Sequence, residues 1–230
     1  MTRTADEARR QLSAALARGF DPGISPRPGT ASVAGARDSA VLLLFGVLDE
    51  VPAAPDGNPP VSSHLDILLT RRADHLRHHP GQIAFPGGRV ERGDPSRADT
   101  ALREAAEETG LDPAGVEVLG EAPAIHIPVS RSLVTPVIGW WRLPSAVAAD
   151  HTESVEVFRV PVAELLRPSA RGTAVLRSGS RTFRGAGFRL GPQFGGHIVW
   201  GFTGMLMAGL FDAAGWSEPW DRTREFPVSR

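Results

Sequence analysis

Three glutamates, Glu104, Glu107 and Glu108, crowd into the short stretch LREAAEETGL at residues 102–111. On a helix turning 100° per residue they share an arc of about 100°, with Ala98, Ala101, Leu102, Ala105 and Thr109 opposite them as the expected core face. Arg103 stands four residues before Glu107, the spacing of a helical ion pair. Like charges this close repel one another, so the pattern has two readings. One is a solvated face carrying a single surface ion pair. The other is a site for a hard divalent cation such as Mg²⁺, which takes several oxygen ligands and completes its shell with water and phosphate.

The preceding residues favour the second reading. FPGG, residues 85–88, ends a short apolar run, and Asp94 follows shortly before the glutamates. Gly87 and Gly88 let the backbone bend sharply and approach a ligand closely, with the Gly88 carbonyl as an additional candidate metal ligand. A glycine turn, a loop and a carboxylate-faced helix together make a phosphate-plus-metal arrangement.

The elements that must hold these groups are legible from punctuation and period. Asp94 is the expected N-cap, Pro95 the first helical residue, Gly110 the C′ residue, and Pro113 bars continuation, so a helix is predicted over 95–109. Residues 5–18 predict a short amphipathic helix with Leu12, Ala15 and Leu16 at helical spacing. FDPGISPRPGTASVAGAR reads as a strap, SAVLLLFGVL and HLDILLTRR as strands around the loop PAAPDGNPP. VEVLG, AIHIPV, LVTPVIGWWR and VEVFRVP read as further strands, with a short helix at 162–166 and a hairpin in TAVLRSGSRTFRG. HIVWGFTGMLMAGLFDAAG reads as a strand running into a buried helix, and the tail after Trp216 carries no strong signal. Strands and helices in irregular alternation predict one layered α/β or α+β domain over residues 38–212, with 1–37 as helix and strap and 213–230 as tail.

Composition narrows the function classes. A chain of 230 residues with 41% hydrophobic and 22% charged residues can bury a core, which argues against wholesale disorder. A net charge of −1 argues against a protein built to coat nucleic acid or an anionic membrane. There is no cysteine, hence no disulfide, thiolate zinc site or cysteine nucleophile. Every basic residue is arginine, which removes Schiff-base and lysine general-base chemistry. No signal-peptide core and no long apolar run stand in the sequence, so a soluble, cytoplasmic protein is expected.

The stretch GGRVERGDPSRADTALREAAEETGL resembles the Nudix box, the signature of a superfamily of hydrolases acting on nucleoside diphosphates linked to another group. Gly88 and the run Arg103, Glu104, Glu107, Glu108, Gly110 fit the pattern; the segment is one residue longer, and Asp94 stands where the family has glutamate. LLTRRADHLRHHPGQIAFPGG, residues 68–88, resembles the segment before the box in the coenzyme A pyrophosphatase branch, and ESVEVFRVP and IVWGFTG are similar to that branch too. The resemblance implies an α/β/α sandwich with a mixed β-sheet between helices. It also implies Mg²⁺ or Mn²⁺ held by Glu104, Glu108, Glu107 and the Gly88 carbonyl, with Arg103 orienting a glutamate. Water would be activated by Glu104 or by a carboxylate from a later loop, for which Glu153 is the best placed. The implied reaction is hydrolysis of coenzyme A or its thioesters to 3′,5′-ADP and 4′-phosphopantetheine or its acyl form. Two alternatives stay open: a Nudix diphosphatase for another nucleotide (ADP-ribose, NADH or a dinucleotide polyphosphate), and a silent nucleotide- or RNA-binding module.

Other residues invite separate readings. Arg72 and Arg77 suit an anionic substrate, because guanidinium forks match phosphate oxygens. His75, His78 and His79 have spacings that suit zinc, but beside a Pro-Gly turn local hydrogen bonding is the better reading. Arg167, Arg171, Arg177, Arg181, Arg184 and Arg189 occur with no acid among them; a solvated hairpin face balanced by acids elsewhere is favoured over a substrate or RNA wall. Of Trp140 and Trp141, neighbours on a strand, only one need face a core. The strap leaves a homodimer and a monomer equally open.

Overall fold

The structure is a computed structural model that describes residues 4–20, 35–47, 61, 63–76 and 79–229. Its centre is β1 (Arg37–Val47), an eleven-residue strand buried on both faces. The reason lies in its sequence: SAVLLLF is a continuous apolar run rather than an alternating one, which suits a strand covered on both sides. Leu43 and Phe45 enter one apolar cluster, while Ala40, Leu42 and Leu44 enter another.

Around β1 a mixed eight-stranded sheet assembles. β2 (Leu65–Arg72) pairs antiparallel with its far half, Phe45 opposite Ile67, and β4 (Gly87–Arg89) with its near half, Val41 opposite Gly87. β7 (Ser132–Trp141) runs parallel to β1 along nine residue pairs. β3 (Ile83–Ala84) and β8 (Ser154–Pro161) pair with β2; β5 (Val116–Glu121) and β6 (Ile125–Ile127) pair with β7.

One face is covered by α2 (Arg97–Thr109), which packs Ala101 and Ala105 against Leu42, Leu44, Val137 and Trp141. The other face carries α1 (Ala5–Arg18), α3 (Val162–Leu166) and α4 (Gly201–Ala213) around Phe45, Ile67, Phe211 and Trp216. This is the expected α/β/α sandwich with a mixed sheet between helices. No helix among the described residues is long and apolar enough to cross a membrane.

Four features depart from expectation. The hairpin of β9 (Arg171–Ser178) and β10 (Arg181–Arg189) belongs to a second sheet, ordered β11-β10-β9-β12 with β11 at Ile198–Val199. The tail supplies β12 (Glu225–Val228), parallel to β9, with Phe226 buried beneath Gly172 and Gly187. EFPV is too short and mixed to show a strand period, so only the neighbour β9 defines it. Trp140 and Trp141 are both buried, on opposite faces, because helices cover both sides of the sheet. Lastly, α1 is part of the domain: Leu12 is fully buried, and Trp216 Nε1 donates to Gln11 Oε1 at 2.6 Å. The strap at 21–34 and the loop at 48–60 lie outside the described residues.

Candidate active site

α2 begins two residues later than expected. Ser96 is the N-cap, its hydroxyl accepting from the Asp99 amide at 3.1 Å. Asp94 is drawn away from capping because it has stronger donors: Arg103 Nε at 3.0 Å and Nη2 at 3.1 Å, the Thr100 hydroxyl at 2.8 Å and the Glu91 amide at 2.8 Å. The bidentate Arg103 contact, with the Glu91 amide, holds the Asp94 carboxyl well below the usual carboxylate range. Gly110 ends the helix in the left-handed conformation, φ 69°, as its sequence position requires.

The three glutamates do not share one environment. Measured from core-facing Ala105, Glu108 stands about 60° round the helix, Glu104 about 100° and Glu107 about 160°. Burial follows that order: Glu108 is 4% exposed, while the side chains of Glu104 and Glu107 are 16% and 60% exposed. Glu104 lies flat on Gly88, so that a Cβ there would come within 2.4 Å of its carboxylate. Gly87, at φ 155° with Ala40 O at 2.3 Å from any added Cβ, lets β4 close on β1.

Arg103 ties this surface together. Besides Asp94 it donates to Glu104 Oε1, to Glu107 Oε2 and to the Arg89 carbonyl, at 3.1, 3.1 and 3.0 Å. Glu108 is held differently. Its Oε2 accepts from the Ser154 hydroxyl at 3.4 Å, while its buried Oε1 has no hydrogen-bond partner. Burial pushes its pKa up to about 8; Arg72 and the Gly87 amide oppose that rise, and Glu153 and Glu104 add to it. Burial likewise raises Glu104, against the pull of Arg103.

The remaining candidates are placed as follows. Arg72 ends β2, opposite Ser154 across a bulge, with its charge felt by Glu108. Glu153 is exposed on the loop before β8 and acts electrostatically on both Glu104 and Glu108. Arg77 and His78 lie outside the described residues. His79 Nδ1 is 2.9 Å from Gln82 Oε1, a local hydrogen bond. Arg177 and Arg184 pair with Glu225 of β12, and Arg171 is buried against the rings of Phe188 and Trp220. Sequence reasoning missed Ser154 and the buried fate of Glu108, which depend on β8 crossing beside α2.

As they stand, no three His, Asp or Glu side chains among the described residues converge on a common metal position. Glu107 is turned outward, and Arg103 occupies oxygens of both Glu104 and Glu107. The donor set nevertheless fits an oxygen-seeking divalent cation. Glu108 presents a buried, unsatisfied carboxylate oxygen, Glu104 lies beside it over side-chain-free backbone, and a single buried negative charge without a counter-ion is costly.

The NUDIX domain model matches residues 59–176. A protein of Enterobacter sp. (strain 638) called "Uncharacterized Nudix hydrolase NudL" is 38% identical over 63% of this chain and 72% of its own length. Its namesake in Escherichia coli (strain K12 / DH10B) is 44% identical over 44% of this chain, and the matched stretch spans about half (52%) of that relative. Among solved structures, the NUDIX domain of Shewanella oneidensis NrtR complexed with ADP ribose matches 63% of this chain and 83% of its own at 20% identity and TM-score 0.42. With the box residues gathered around one helix and half of its length matched by the domain model, the chain belongs to the Nudix family of hydrolases.

Proposed function

We propose that the chain hydrolyses the diphosphate of coenzyme A or its thioesters, giving 3′,5′-ADP and 4′-phosphopantetheine or its acyl derivative, with Mg²⁺ or Mn²⁺ as cofactor. The observation that carries the hydrolase reading is the buried Glu108 with its unsatisfied oxygen, next to Glu104 and within the field of the Arg72 guanidinium. Carboxylates for a cation and a guanidinium for an anion, side by side, suit a metal-bound diphosphate. The coenzyme A assignment rests on the likeness of residues 68–88 to that branch.

In this reading Glu104 and Glu108 hold the cation, with the Gly88 carbonyl and Glu107 at its margin. The cation, when bound, neutralises charge on the diphosphate during phosphoryl transfer. Arg103 keeps Glu104 and Glu107 from turning away, Arg72 and Arg77 donate to phosphate oxygens, and the Gly87–Gly88 backbone meets the substrate. Glu153 takes the proton of the attacking water, whose oxygen forms the new bond to phosphorus as the bridging P–O bond breaks and its electrons leave with the departing phosphate. Since Glu153 is exposed and on a loop, it is free to meet water, whereas Glu104, the other candidate base, has an oxygen held by Arg103 and is assigned to the cation.

Phosphorus-31 analysis of products from coenzyme A, with Mn²⁺, with Mg²⁺ and with chelator, tests the proposal beside Glu108→Gln. Cation-dependent release of 3′,5′-ADP that the substitution abolishes is the expected result. Release from ADP-ribose or NADH but not coenzyme A would move the substrate to another nucleotide diphosphate. Tight nucleotide binding without any turnover would overturn the hydrolase reading in favour of a binding module.

A further inference from the structure

Residues 142–153, which join β7 to β8, lie across the C-terminal end of α2. The Ala148 amide donates to the Thr109 carbonyl at 2.9 Å, and the Asp150 amide to the Glu108 carbonyl at 3.2 Å. The loop thereby satisfies two carbonyls that a helix end leaves open. Asp150 then folds the chain back on itself. Its Oδ1 accepts from the Ser154 amide at 2.8 Å and the Glu153 amide at 3.2 Å, and its Oδ2 accepts from the Glu153 amide at 3.1 Å. His151 takes φ 61° in this turn, and its amide donates to the Ser154 carbonyl at 2.8 Å. On the other side the Ala73 amide, just past β2, donates to the Glu153 carbonyl at 2.8 Å.

Glu153 is therefore held by its backbone from both sides, and the next residue, Ser154, reaches Glu108 through its hydroxyl. One carboxylate, anchored to the end of the glutamate helix, orders two neighbouring residues, Glu153 and Ser154, that act on the glutamates from outside that helix.

We infer that Asp150 is a positioning residue for the reaction: it fixes Glu153 toward the Glu104–Glu108 face and acts through Glu153, without touching substrate. The inference rests on the hydrolase reading above. It predicts that turnover falls far more than cation affinity, because the cation is assigned to α2, whose Glu108 side chain Asp150 reaches only through Ser154.

The test compares Asp150→Ala, Asp150→Asn, Glu153→Gln and the Asp150→Ala/Glu153→Gln double variant, in turnover of coenzyme A with Mn²⁺ and in affinity for Mn²⁺ alone. Asp150→Ala is expected to lower kcat roughly tenfold to a hundredfold, the scale of a small misplacement of a reacting group, with KM unchanged and Mn²⁺ affinity altered far less than kcat. Asp150→Asn should restore most of the rate, because one oxygen at the Oδ1 position serves both amides. The double variant should be no slower than Glu153→Gln, as for residues acting in one chain. Wild-type kcat in Asp150→Ala, failure of Asn to rescue, additive losses, or a parallel loss of Mn²⁺ affinity would each overturn the inference. If the wild type hydrolyses no nucleotide, the hydrolase reading fails separately, and amide hydrogen exchange judges Asp150. Faster exchange confined to Glu153 and Ser154 in Asp150→Ala supports its positioning role, and unchanged exchange or a general loss of protection refutes it.

Discussion

At the scale of single residues, Glu108 makes the most exacting demand on the fold. With a pKa of about 8 against 4.5 for the free side chain, it holds a proton over that interval which the unfolded chain has released. Because the native state binds more protons there, stability without metal falls as pH rises from 4.5 to about 8, and is fully regained below that window. The total is on the order of a few kcal/mol. Thermal melts in chelator at pH 5 and pH 8 should show the slope, Glu108→Gln should flatten it, and Mn²⁺ at pH 8 should offset it. The two glycines of β4 separate chemistry from folding. Gly88→Ala drives a methyl group into the Glu104 carboxylate, so turnover should drop about a hundredfold while the melting temperature moves little. Gly87→Ala meets the backbone of β1 at an unfavourable φ, so it should cost about 2 kcal/mol or more of stability, seen in urea titration.

At the scale of elements, α2 shows how far local pattern carries. Its existence, its C-terminal stop and its apolar stripe were readable, because helical period and the Gly110 position are properties of the segment alone. Its start was not: Asp94, Pro95 and Ser96 all suit a helix entrance, and only the nine-residue reach of Arg103 decides that Asp94 belongs to the site. The angle from Ala105 already ranks the three glutamates by depth; what stayed hidden were their contacts, Gly88 of β4 under Glu104 and Ser154 beside Glu108. Expected effects divide accordingly. Ser96→Ala should cost about 1 kcal/mol of stability with kcat unchanged. Asp94→Ala should release Arg103 and lower kcat roughly tenfold or more, with Mn²⁺ titration recording whether Glu104 still binds.

At the scale of the molecule, a layered α/β or α+β domain was legible from the alternation of strands and helices, and the sandwich itself from the resemblance to the Nudix box. The second sheet was not, because β12 exists only through its parallel partner β9. Phe226, 1% exposed and against Gly172 and Gly187, is the strand's anchor. Phe226→Ala should cost about 3–5 kcal/mol in denaturant titration and, since β12 lies in the other sheet, leave kcat of the folded fraction intact. The contact between Gln11 and Trp216 spans 205 residues of chain. During synthesis, α1 leaves the ribosome early and its side chain at Gln11 finds that partner only after residue 216 has emerged. Arg9 of α1 meets its partner Glu117 about a hundred residues earlier in the chain, whereas the bonds of Arg18 to Ala213 and of Gln11 to Trp216 close last. Nascent chains stalled before residue 213 should therefore leave α1 more open to proteases than the finished chain does.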